Sequence, residues 1–220
     1  MEESQETGKQ SYAWKNARVI FLFFVALAVF CGAGWLFLNK GLYLLPDAMC
    51  DGTLRRDMVK QVLPPAQSAD SDSDSQGAGE SLIVWCDVTT SDDVSLSGEV
   101  RVQSVSREQW LDHYRGSGAQ HRIIRVSAGG IEALAQTDAG ADTSSVYVPC
   151  ALPGLREDDA QQPFAVIGET RIRGRAKATG MPLRQALTDF AYRLTEHAYK
   201  TAECKTPRSF PRELPQYEKR

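Results

Sequence analysis

Asparagine is almost missing from this 220-residue chain, occurring only at positions 16 and 39, and arginine outnumbers lysine 17 to 8. That is the bias of a GC-rich bacterial genome. Histidine is sparse too, with His113, His121 and His197 far apart, and no two cysteines are spaced as CxxC. The ligand pattern of a structural zinc site is therefore lacking. The Gly-x-Ser-x-Gly elbow, the GxxxxGK[ST] phosphate loop and the HExxH motif are also absent, so no cofactor or metal is expected. Formal net charge is only −3 and the basic residues are scattered. A nucleic-acid partner is excluded on that ground, because such proteins concentrate positive charge on one face.

Charge is missing from one long run, Val19 to Leu38, VIFLFFVALAVFCGAGWLFL. Twenty apolar residues at 1.5 Å rise each give about 30 Å of helix, the thickness of a bilayer's hydrocarbon core. The expectation is a transmembrane helix over residues 18–39, with the membrane as the first partner. Lys9, Lys15 and Arg18 crowd its amino flank and only Lys40 follows closely, which predicts a cytoplasmic tail at 1–17 and an extracytoplasmic remainder. Localisation is accordingly expected at the cell membrane, single-pass. Tyr12 and Trp14 before the run, and Trp35 and Tyr43 at its far end, suit the two interfaces. A cleaved signal peptide would have a shorter apolar region and a small-x-small site. Neither Cys31, preceded by Phe30, nor Cys50, preceded by Met49, has the small residue that precedes a lipidated cysteine.

Beyond the run, residues 40–49 read as a juxtamembrane linker and 50–206 as one α+β domain. From Gly52, Leu54, Met58, Val59, Val62 and Leu63 recur at helical spacing until Pro64-Pro65 ends the pattern, so a short amphipathic helix is predicted. Residues 66–80 contain SADSDSDSQGAGE, which has too little apolar content to pack a core and reads as a disordered acidic loop. Asp70, Asp72 and Asp74 imitate the start of an EF-hand loop, but Ser75 and Ser81 stand where the glycine and the bidentate glutamate belong. Strands are predicted at 81–90, with Trp85 and Cys86, and at 96–105, where valines alternate with Glu99, Arg101 and Gln103. Ser106, three residues before Gln109, fits a capping box for a helix that offers Trp110, Leu111 and Tyr114 for burial.

Further strands are expected at 121–126, 131–136, 145–148 and 164–174. On the last of these Arg171, Arg173, Arg175 and Lys177 fall at period two, which makes them either a face for an anionic envelope polymer or headgroup, or a solvated face that deters edge pairing. A long helix from Pro182 to about Cys204 carries the apolar stripe Leu183, Leu187, Phe190, Ala191, Leu194 and Ala198. It should cover one face of a largely antiparallel sheet of five to seven strands. Residues 207–220, with Pro207, Pro211 and Pro215, read as an extended, loose tail.

The chain from Cys50 onward resembles a group of single-pass extracytoplasmic membrane proteins of actinobacteria, streptomycete type. The residues that carry this are Cys50-Asp51-Gly52-Thr53-Leu54, Trp85-Cys86, Val148-Pro149-Cys150 and a closing helix ending at Cys204. The resemblance implies four paired cysteines in an α+β extracytoplasmic domain and assigns no site.

Cysteine arithmetic points the same way, since Cys50, Cys86, Cys150 and Cys204 form an even set outside the apolar run. Cys50–Cys86 and Cys150–Cys204 are the expected pairs, with the nested pairs Cys50–Cys204 and Cys86–Cys150 as the competitor. For function, a membrane-anchored extracytoplasmic binding or interaction module of the cell envelope is expected, its partner an envelope protein or polymer. No catalytic residues are assigned and the expectation is a non-enzyme. The alternative is an envelope hydrolase assembled from distant residues such as Asp112, His113 and His121.

Overall fold

The computed structural model describes residues 20–34, 41–116, 121–137, 142–152 and 163–218. Residues 41 to 218 belong to one compact unit, separate from the amino-terminal one.

The transmembrane expectation is corrected first. In the amino-terminal unit the described residues 20–34 form a helix, α1. Among the described residues no helix is long and apolar enough to cross a membrane. The tail at 1–17, its basic flank and the aromatics Tyr12, Trp14 and Trp35 lie outside the described residues.

The second unit is α+β. It opens with a helical turn, α2 (Gly41–Leu44), and a two-stranded ladder, β1 (Ala48–Met49) with β2 (Leu54–Arg55), followed by α3 (Arg56–Val62). Residues 40–49 were expected to be a linker, yet Leu42, Leu45 and Met49 are buried in the core. The Cys50-to-Leu54 motif makes the turn of the ladder instead of starting the helix. Cys50, Asp51 and Gly52 all take positive φ there, and Thr53 Oγ1 donates to the Cys50 carbonyl at 2.7 Å.

Seven strands make the main sheet: β3 (Ala69–Gln76), β4 (Ile83–Thr90), β5 (Ser95–Ser104), β6 (Ile123–Ala128), β7 (Ile131–Gln136), β8 (Thr143–Pro149) and β9 (Phe164–Arg173). Their order across the sheet is β3-β4-β5-β9-β8-β7-β6, with every neighbouring pair antiparallel. Two three-stranded meanders are thus joined by β9, which runs between β5 and β8.

The acidic stretch expected to be a disordered loop at 66–80 is instead the edge strand β3, paired residue for residue with β4. Its composition cannot fill a core, but an edge strand needs only its backbone. β4 is strongly β-forming, and its outer N–H and C=O groups find ladder partners in β3. Asp70 and Asp74 accept hydrogen bonds from the N–H groups of Ser71 and Ser75 at 2.9 and 2.8 Å. Those carboxylates and their charge protect the free edge from further pairing.

One face of the sheet is covered by α5 (Gly180–Thr201), which lies against β5, β9 and β8. Leu183, Leu187, Phe190, Ala191, Leu194 and Ala198 point into the core with Val100, Val146, Val148 and Val166. The close approach depends on two residues without side chains. A Cβ at Gly98 would stand 2.8 Å from Phe190 Cζ, and one at Gly168 would run into Thr195 Oγ1 and stand 3.1 Å from the Ala191 carbonyl.

The Pro-rich tail, expected to be loose, packs along α5 through residue 218. Phe210 packs against Tyr192 and Tyr199, tilted to the first and edge-on to the second, with ring centroids 5.9 and 5.3 Å apart. Tyr192 Oη donates to the Pro211 carbonyl at 2.6 Å, and Leu214 and Tyr217 are buried. The prolines are spacers between apolar anchors, so fixing them costs little chain entropy. Burial, with Glu196 nearby, pushes the Tyr192 hydroxyl up to about 12.

Two disulfides, Cys50–Cys86 and Cys150–Cys204, bind these parts together. The first ties the β1–β2 turn to the middle of β4, and the second ties the end of α5 to the end of β8. Cys31 is a free, exposed cysteine.

Candidate binding groove

The other face of the sheet is only half covered. α4 (Arg107–Arg115) lies over β7, β8 and β9. It begins with the expected capping box: Ser106 Oγ accepts from the Gln109 N–H at 3.2 Å, while Gln109 Oε1 accepts from the Ser106 N–H at 2.8 Å. Trp110, Leu111 and Tyr114 then bury against Leu134, Tyr147, Ala165 and Ile167. An Arg107–Glu132 ion pair fixes the helix start to β7, and Trp110 Nε1 donates to Ser145 Oγ at 3.0 Å.

Where α4 stops covering the sheet, a groove of about 520 Å³ opens between the helix and strands β5 and β9. Val105, Trp110 and Ile167 give it an apolar part, while Glu99, Arg101, Glu169 and Arg171 rise from the strands beneath. A recess of about 180 Å³ continues from Glu99, Glu169 and Arg171 toward Trp85 and Arg173. These charges share one face because side chains alternate along a strand. The alternating residues on the opposite face, Val100, Gly168, Thr170 and Ile172, are buried.

Glu99 and Glu169 stand directly opposite each other in the β5–β9 ladder, an arrangement that is unfavourable for like charges. Glu99 is paired with Arg101. Glu169 Oε2 accepts a hydrogen bond from Tyr114 Oη at 2.5 Å. Burial of the Tyr114 phenol, reinforced by the Glu169 charge beside it, drives its pKa well above the ordinary tyrosine range. The phenol therefore stays a neutral donor. Tyr147, beneath Trp110, is also raised, by burial first and then by Glu108 and Glu132.

Of the four basic residues expected to share a face, Arg171 and Arg173 do, joined by Arg101 from β5. Arg175 and Lys177 do not. β9 ends at Arg173, and Gly174 at φ +87° turns the chain away. Lys177 is held on α3, donating through Nζ to the Lys60 carbonyl at 2.9 Å and through its N–H to the Val62 carbonyl at 2.8 Å.

Of the three residues of the alternative hydrolase, His113 alone is among those that line the groove. Asp112 is exposed and paired with Arg115 at 3.8 Å. His121 follows the end of α4, its N–H donating to the Arg115 carbonyl at 2.9 Å. Among the described residues no group of three or more His, Cys, Asp or Glu side chains is placed to hold a metal ion.

Sequence reasoning missed Glu99, Arg101, Glu169 and Tyr114 as a set. Glu169 lies in the same period-two row as Arg171 and Arg173, and that row was the available signal. The meeting of Glu169 with Glu99 depends on β9 pairing with β5, which nothing local encodes. No protein-family model, no curated protein and no solved structure matches the chain.

Proposed function

We propose that residues 41–218 form an extracytoplasmic binding module of the cell envelope and that its ligand occupies the groove between α4, β5 and β9. The observation that carries this reading is the groove itself. Its charged groups stand on two central strands, and its wall is a capped helix fixed by Arg107–Glu132 and Trp110–Ser145. Recognition groups held on such a scaffold lose little freedom when a ligand arrives, which favours affinity. Two disulfides in one domain of this size suit an oxidising compartment. A binding role needs only the fixed polar groups already present.

The test is site-specific photocrosslinking in intact cells. A photoreactive residue at Gln103, inside the groove, should yield a ligand adduct that Arg171→Glu abolishes. The same residue at Lys200, exposed on α5, should not. Identical adducts at both positions, or none at Gln103, would refute the reading.

A further inference from the structure

Two opposite charges in the groove are neighbours and yet do not pair. Glu169 and Arg171 are two residues apart on the same face of β9, both lining the cavity. Among the described residues the Glu169 carboxylate has Tyr114 as its hydrogen-bond partner and forms no ion pair, and the Arg171 guanidinium forms neither a hydrogen bond nor an ion pair. Arg101 is already engaged by Glu99. The anion with the greatest need of a cation is therefore Glu169, pressed further by Glu99 directly across the ladder. The free guanidinium beside it faces the same space.

Residues i and i+2 of a strand are about 6.8 Å apart. A ligand filling this gap carries an ammonium at one end and a carboxylate at the other, separated by a few bonds. The guanidinium offers a planar fork that matches a carboxylate. The carboxylate pair offers several acceptor lone pairs to an ammonium's three donors. A cavity of about 520 Å³ exceeds a single small amino acid and fits a short peptide, and Val105, Trp110 and Ile167 supply an apolar surface for its side chains.

We propose that the groove binds a short zwitterionic peptide, its free ammonium against Glu169 and Glu99 and its free carboxylate against Arg171. This rests on the groove being the binding site and adds the chemical class of its ligand.

The experiment titrates the isotope-labelled full chain with dialanine, trialanine, N-acetyl-dialanine and dialanine amide, following the Trp110 indole and the β5 and β9 amides by NMR. The free peptides should shift these resonances, and blocking either end should weaken binding at least tenfold. Glu169→Gln, which keeps an acceptor for Tyr114, should remove the discrimination against the acetylated peptide. Arg171→Gln should remove the discrimination against the amide. Equal binding of free and blocked peptides by the wild-type chain overturns the proposal, as does the absence of any groove shift with either free peptide at millimolar concentration. If the proposal fails in this way while the Gln103 crosslink still captures a ligand, the ligand class is wrong and the groove stands as a binding site. If that crosslink fails as well, both readings fall.

Discussion

Replacing Gly168 with alanine adds one methyl group where α5 crosses β9. The new Cβ would run into Thr195 Oγ1, which is fully buried and donates to the Ala191 carbonyl at 2.7 Å. Backing away by rotation of Thr195 breaks that hydrogen bond, a loss of about 1 kcal/mol. Backing away by movement of α5 disturbs the packing of Phe190 and Leu194 over Gly98, and overpacking of this kind costs about 1–3 kcal/mol. Together Gly168→Ala should cost about 2–4 kcal/mol, or roughly 10 °C in Tm for a domain of this size. Thr195→Ala removes the obstructing oxygen, leaving the Ala191 carbonyl at 3.1 Å as the tightest remaining neighbour. In that background the same glycine substitution should cost less than about 1 kcal/mol. Urea denaturation of the wild type, both single variants and the double variant gives the coupling directly. The reasoning is refuted if Gly168→Ala costs under about 0.5 kcal/mol, or if it costs the same in both backgrounds.

Two other outcomes follow from the description. Replacing Cys150 and Cys204 together by alanine opens a link between positions 54 residues apart, for which the chain-entropy model gives a loss of about 4 kcal/mol; a change in urea midpoint equivalent to under about 1 kcal/mol would contradict it. At high pH, Tyr192 is raised to about 12 and Tyr114 and Tyr217 are raised as well, burial leading in each case. Because the unfolded chain ionises its tyrosines near pH 10, this contribution to stability is present below pH 10 and lost as pH rises through about 12. Absorbance at 295 nm should then show a group of tyrosines ionising only as the circular dichroism signal collapses. Titration of all seven tyrosines near pH 10 with native dichroism would rule it out.

What could be read in advance was what neighbouring residues encode. The capping box at Ser106 and Gln109, the apolar stripe of α5 and the alternation along β5 are local patterns, and each reappears in the structure. The residues that misled were those whose role depends on a distant partner. The Asp-Ser repeat becomes a strand because β4 needs a neighbour. Phe210, Leu214 and Tyr217 settle because α5 offers them a surface, although the prolines between them suggested open chain. The apolar run from Val19 misled differently: its composition suggested a span, but among the described residues no helix is long and apolar enough to cross a membrane. In the groove, Arg171 and Arg173 were visible as a periodic row, whereas their neighbour Glu99 comes from a strand sixty or more residues away.

The central position of β9 governs the order in which this protein can come into being. A chain made from its amino end completes β3-β4-β5 and β6-β7-β8 before Phe164–Arg173 exists, so each half waits with one raw border, at β5 and at β8. Exposed borders of this kind invite pairing with other chains, and closing them requires contacts between segments far apart in sequence, which form slowly. Maturation therefore has a vulnerable interval that ends only when the ninth strand inserts and α5 settles behind it. A chain cut short before Phe164 would be left with two adhesive half-sheets. The groove, whose floor is half β9, is assembled in that same final step.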